Sequence, residues 1–127
     1  MEKDLPNFKE LLNIINKLRG NEGCPWDQKQ TNKSLSKYLR EESQELLEAI
    51  AKEDSLEICE ELGDLLFVIM LLCKINEEQK KFTLNDMLLT IKDKLIRRHP
   101  HVFAGKAVGD EESLRKQWLE IKAKEKK

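Results

Sequence analysis

Glycine and proline are scarce, five and three in 127 residues. With β-branched runs equally rare, this argues against a sandwich or barrel built on many tight turns. Neither sign of charge dominates: 23 Lys and Arg face 24 Asp and Glu, a formal net charge of −1. That balance removes the electrostatic case for nucleic acid or an anionic membrane as partner. The longest apolar run, Leu65 to Cys73, has nine residues, far below the roughly 20 needed to span a bilayer. The opening MEKDLPNF carries no apolar stretch of signal type, so no secretory signal is expected. Cys24, Cys59 and Cys73 form no C-x-x-C pair; an odd, widely spaced set points to reduced thiols and a cytoplasmic protein. No G-x-x-x-x-G-K-[ST] or G-x-G-x-x-G is present, which excludes phosphate cradling by a glycine loop.

What is abundant is charge, 37% of the chain against 39% apolar, the balance of long amphipathic helices. Apolar periodicity predicts five of them. The first carries Phe8, Leu11, Leu12, Ile15 and Leu18 and ends near Gly20. A polar, irregular stretch is expected from Gly20 to about Lys33. The second helix is predicted from about Ser34 to Lys52 and the third from about Ser55 to Gln79. The fourth spans about Leu84 to Arg97 and stops before Pro100; the last starts near Glu111 and frays from about residue 123. The expected fold is all-α: one domain over 1–127, with a four-helix-bundle-like core and an additional C-terminal helix. The run Leu65–Cys73 is apolar all the way round and needs cover on more than one side, which suggests a homo-oligomer.

Carboxylates occupy places where apolar residues belong. The stripe of the second helix runs Leu35, Tyr38, Leu39, then Leu46, Ala49, Ile50. At roughly 100° per residue, Glu42 falls near the centre of that face and Glu45 at its edge, with Glu41 and Glu48 pointing away. In the third helix Ile58, Leu62, Leu65, Ile69 and Leu72 are expected to face inward, with Glu61 on the flank and Asp64 slightly further round. Four ionised groups do not share an apolar site unaided. Some are protonated, or basic side chains reach them, or a cation sits among them; all-oxygen ligation suits Mg²⁺. Acidic residues are 24 of 127, so such pairs also arise on ordinary solvated faces, and their placement on the apolar stripe is what favours the metal. A di-iron bundle would need Glu-x-x-His on two helices, whereas His99 and His101 merely flank Pro100.

Cations show the same displacement in the fourth helix, where Lys94 and Arg98, four apart, lie beside the stripe Leu84, Met87, Leu88, Ile91, Leu95. Trp118 and Lys122 follow in the last helix. An aromatic ring and several cations suit a nucleotide, the base on the indole and phosphates on the cations. Snorkelling cations and an anchoring tryptophan would leave the same pattern.

Four segments taken together, LRGNEGCPWDQKQT (Leu18 to Thr31), YLREESQELLEAI (Tyr38 to Ile50), EELGDLLF (Glu60 to Phe67) and KDKLIRRHPHVF (Lys92 to Phe103), closely resemble the MazG family of nucleoside triphosphate pyrophosphohydrolases. The resemblance implies an all-α enzyme that hydrolyses nucleoside triphosphates, ribo or deoxy, to monophosphate and pyrophosphate, in the manner of nucleotide-pool house-cleaning. Its metal pattern, E-x-x-E then E-x-x-D, falls on Glu42, Glu45, Glu61 and Asp64, the residues already selected by helix geometry. The implied ion is Mg²⁺, with Mn²⁺ as a substitute. The family's phosphate- and base-contacting positions match Lys94, Arg98, Trp118 and Lys122. Trp26, in the CPWD signature, either covers the site or pins its loop. Glu41 or Glu45 accepts the proton of the attacking water, a choice the residues leave open. A homodimer or homotetramer is implied. The alternative is a non-catalytic nucleotide-sensing or partner-binding module on the same fold.

Overall fold

A computed structural model describes residues 2–126. It is mostly helical, with no strand among the described residues, and the chain divides into two compact units, Met1–Leu84 and Asn85–Lys127. The first holds a 3-10 turn at Glu2–Asp4 and four helices: α1 (Leu5–Leu18), α2 (Pro25–Lys29), α3 (Asn32–Ala51) and α4 (Ser55–Glu78). Apart from its first residue, α5 (Leu84–Arg98) belongs to the second unit, with α6 (Pro100–Phe103) and α7 (Glu111–Glu125).

In the first unit α4 is the central helix, packed along α3 and also against α1. Ile15, Leu35, Met70, Leu71 and Ile75 form its core, each at most 3% exposed. The inward face expected of this helix is displaced. Leu62 is 51% exposed, while Val68, Met70, Leu71, Cys73 and Ile75 are buried. Where a helix is apolar all round, periodicity does not reveal which side its neighbours take; here α1 and α3 between them cover most of the run Leu65–Cys73.

The turn between α3 and α4 fixes the site. Lys52 and Glu53 close the end of α3, their N–H groups donating to the carbonyls of Glu48 and Ile50. Glu53 adopts a left-handed φ of 55°, the conformation that ends many helices and that costs a non-glycine residue about 1–2 kcal/mol. Asp54 then caps α4, its Oδ1 accepting from the N–H groups of Leu56 and Glu57 at 3.2 Å. The result is a tight antiparallel helical hairpin.

The stretch expected to be irregular contains α2, opened by Pro25 at its first turn. Gly23 is required there: a Cβ would lie 2.2 Å from the Leu18 carbonyl oxygen. Arg19, whose side chain is 9% exposed, ties this segment down. Its Nη1 donates to the carbonyls of Asp27 and Gln30, and its other side pairs with Glu78 at 2.6 Å. Thr31 and Ser34 form a reciprocal capping box, so α3 starts at Asn32, two residues before its expected start. Asn32 and Asn76 exchange amide hydrogen bonds of 3.2 and 2.9 Å between α3 and α4.

In the second unit, α5 ends at Arg98 and Pro100 opens α6. His99 and His101 serve structure: Nδ1 of His99 donates to the Leu95 carbonyl, and Gln117 Nε2 donates to His101 Nδ1. Asp110 caps α7. That helix continues through Glu125, beyond the point where fraying was expected, because Glu125 is anchored by Arg97 and Arg98.

Truncating Leu71, fully buried, to Ala should cost about 2–5 kcal/mol of stability in urea unfolding. Leu56→Ala, at a residue 85% exposed, should stay within about 0.5 kcal/mol of the wild type.

Candidate functional site

The hairpin brings the four predicted carboxylates together. Glu45 lies eight residues before Glu53 and Glu61 eight after it; Glu42 and Asp64 lie eleven before and eleven after. In an antiparallel helix pair, positions equidistant from the turn stand at the same height. One carboxylate oxygen from each of Glu42, Glu45, Glu61 and Asp64 lies within 4.8 Å of the others. Glu42 and Glu61 are half-buried; Glu45 and Asp64 are exposed.

The electrostatics follow from crowding. Burial, then the charge and hydrogen-bonding proximity of Glu45, and then the charges of Asp64 and Glu41, raise the Glu42 carboxyl above the usual range. Glu61 is pushed up to about 7 by desolvation first, then by Glu45, Asp64 and Glu42. No ion pair among the described residues brings a cation to the cluster. Oε2 of Glu42 and Oε2 of Glu61 are both buried without a hydrogen-bond partner, a condition that normally demands explanation. Of the three possibilities open at the level of sequence, a bound cation satisfies both orphaned oxygens and the mutual repulsion at once. Four hard oxygen donors fit a divalent ion of that class.

Glu41 is exposed and outside the four-oxygen set. Trp26, on α2, stands edge-on to Tyr38, with ring centroids 5.2 Å apart at 81°. Tyr38 is one turn before Glu42 on α3, and Trp26 remains 42% exposed. The indole therefore packs on α3 and keeps a free surface.

The second unit gathers three of the predicted substrate residues. The Arg98 guanidinium lies 5.2 Å and the Lys122 ammonium 4.9 Å from the centre of the Trp118 ring. Lys94 is half-buried one turn before Arg98. Two functional candidates had escaped the sequence reading: Glu125, which accepts from Arg98 and Arg97, and Arg19, which fixes the CPWD segment. Each acts through a partner at least 27 positions away in one of its contacts, and only the charge of a residue on a helix end could have hinted at it.

The model of the MazG nucleotide pyrophosphohydrolase domain matches residues 30–103, more than half of the chain. The chain belongs to the MazG family. All four clustered carboxylates, Lys94 and Arg98 fall inside the matched segment, whereas Trp26, Trp118 and Lys122 fall outside it. A MazG nucleoside triphosphate pyrophosphohydrolase/pyrophosphatase of Thermotoga maritima is 48% identical over 120 residues, covering 94% of this chain and 45% of that protein. An uncharacterized Bacillus subtilis protein, YabN, is 47% identical over 119 residues, covering 94% of this chain and 24% of its own length. The chain thus spans less than half the length of either relative. Among solved structures, a MazG-related protein from Thermotoga maritima superposes with a TM-score of 0.76 at 29% identity, covering 91% of this chain and 98% of that one. No helix among the described residues is long and apolar enough to cross a membrane.

The raised carboxyls of the cluster set a pH dependence. A carboxyl whose folded pKa is raised holds its proton more tightly in the folded state. Its stabilising contribution is complete below the unfolded value near 4.5 and is lost as pH rises through about 7. In chelator, the melting temperature should therefore fall between pH 4.5 and 7. Mg²⁺ should restore it at pH 7.5 in the wild type and fail to do so in Glu61→Gln. An equal Mg²⁺ response in both proteins would remove Glu61 from the ligand set.

Proposed function

We propose that this chain is a Mg²⁺-dependent nucleoside triphosphate pyrophosphohydrolase, cleaving between the α- and β-phosphates to release monophosphate and pyrophosphate. The observation that carries the reading is the convergence of four carboxylate oxygens within 4.8 Å across one helical hairpin. Glu42, Glu45, Glu61 and Asp64 hold the ion, with Mn²⁺ as a substitute. A divalent ion at such a site supplies charge neutralisation on the triphosphate and makes water more acidic.

The chain's own residues account for the rest. A water oxygen forms the new bond to the α-phosphorus as the bond to the pyrophosphate oxygen breaks. Glu45 is committed between Glu42 and Glu61, so Glu41, exposed and outside the cluster, takes the water's proton. Lys94, Arg98 and Lys122 hold phosphate oxygens. Two cations already line the Trp118 ring, which makes the indole a platform for them before it is a surface for a base. Trp26, with its exposed edge, covers the nucleotide. The exposed apolar side chains Leu47, Ile50 and Leu62 of the hairpin support assembly as a homodimer or homotetramer. Clearing unwanted nucleotides from the cytoplasmic pool is the role such an activity serves.

A panel of ribo- and deoxynucleoside triphosphates with Mg²⁺ should yield monophosphate and pyrophosphate in equal amounts. Glu42→Gln and Glu61→Gln should keep the helical circular dichroism yet lower turnover at least about a hundredfold, the scale of losing one charge-stabilising group at a reacting centre. Near-normal turnover in both variants would take the cluster out of the reaction. Release of orthophosphate would move the cleavage to another bond.

A further inference from the structure

We infer that Glu125 is a positioning residue that holds one edge of the Arg98 guanidinium so that its opposite edge is presented to the phosphates of the substrate. This rests on the assignment of Arg98 to phosphate binding made above. A guanidinium carries five N–H donors in one plane: one edge offers Nε and Nη2, the other Nη1 and Nη2. Oε1 of Glu125 takes the first edge, at 3.1 Å from Nε and 2.7 Å from Nη2. Oε2 of the same carboxylate accepts from Nε of Arg97 at 2.5 Å. Trp118 lies against the Arg98 guanidinium at 5.2 Å. No described residue accepts from Nη1, so the second edge keeps its donors.

The guanidinium is therefore held along one edge and by an aromatic ring, with a bidentate edge left over of the shape that a phosphate needs. Burial makes the restraint effective, since the side chains of Arg98 and Glu125 are only 14% and 18% exposed. Charge points the same way. Arg97 and Arg98 bring two positive charges to one carboxylate, so Glu125 orders the cations without neutralising them. A side chain fixed in its binding geometry loses less freedom when the anion arrives.

The rival role for Glu125 is a plain clasp between α5 and α7, and the test separates the two. Binding of inorganic tripolyphosphate is measured calorimetrically in chelator, with the whole chain, for the wild type and four variants. Removing a negative charge should by itself tighten anion binding; positioning predicts the reverse. Glu125→Gln should weaken binding about fivefold, the scale of newly freeing one long side chain at a binding surface. Glu125→Asp keeps the charge but draws the carboxylate back by one methylene, and should weaken binding too, which keeps the test decisive if the Gln variant unfolds. Arg97→Lys loosens the clasp while keeping its charge and should bind within about twofold of the wild type, whereas a mere clasp predicts loss in step with Glu125→Gln. Arg98→Ala should cost about tenfold or more. If Arg98→Ala binds normally, the assignment of Arg98 falls and this inference with it. If Arg98→Ala is impaired but both Glu125 variants bind as the wild type or tighter, the positioning role alone is overturned.

Discussion

Mutual repulsion among carboxylates is the constraint around which the first unit is organised. Folding α3 against α4 buries apolar surface, and the same act forces Glu42, Glu45, Glu61 and Asp64 onto one another. Raised pKa values at Glu42 and Glu61 and two stranded buried oxygens are the visible cost. Sites of this kind persist where function needs them, because packing elsewhere offsets the local penalty. Here the offset lies in the nearly fully buried Ile15, Leu35, Leu71 and Ile75 and in the Asn32–Asn76 pair that joins the same two helices.

The second unit solves the opposite problem. Its cations are crowded rather than its anions, and they are kept in place by an aromatic ring and one acidic side chain. Glu125 is held far below the usual carboxylate range, at about 2, by its hydrogen bonds with Arg98 and Arg97, so it remains charged at any working pH. The chain thus carries crowded anions in one unit and crowded cations in the other. Each is built from residues three or four apart on a helix, reinforced by a residue supplied from a neighbouring one.

Much of this was legible in the chain. Glu42 stood out because it interrupts an apolar stripe at helical spacing, and Lys94 and Arg98 because they flank one. The all-α class followed from the scarcity of glycine and proline and from helical periods in every long segment. α2 was missed because five residues, PWDQK, are too few to carry a period. The buried face of α4 was misplaced because LLFVIMLLC offers no polar side from which to read an orientation. Arg19 and Glu125 were invisible for a third reason. Their pairing with residues 59 and 28 positions away leaves no local pattern, and surface-type residues acquire such roles only in the folded chain. Yet one signal was available and unused: the acidic pairs are symmetric about Glu53.

That symmetry makes the short connection at Lys52–Asp54 a ruler. Each added residue taken up as helix would turn the residues beyond it by about 100° and shift them about 1.5 Å along the axis, sending Glu61 and Asp64 out of register with their counterparts. Surface loops ordinarily tolerate changes of length. This one does not have that freedom, although none of its three residues belongs to the acidic cluster, and a lineage that lengthened it would keep the helices while parting the four carboxylates.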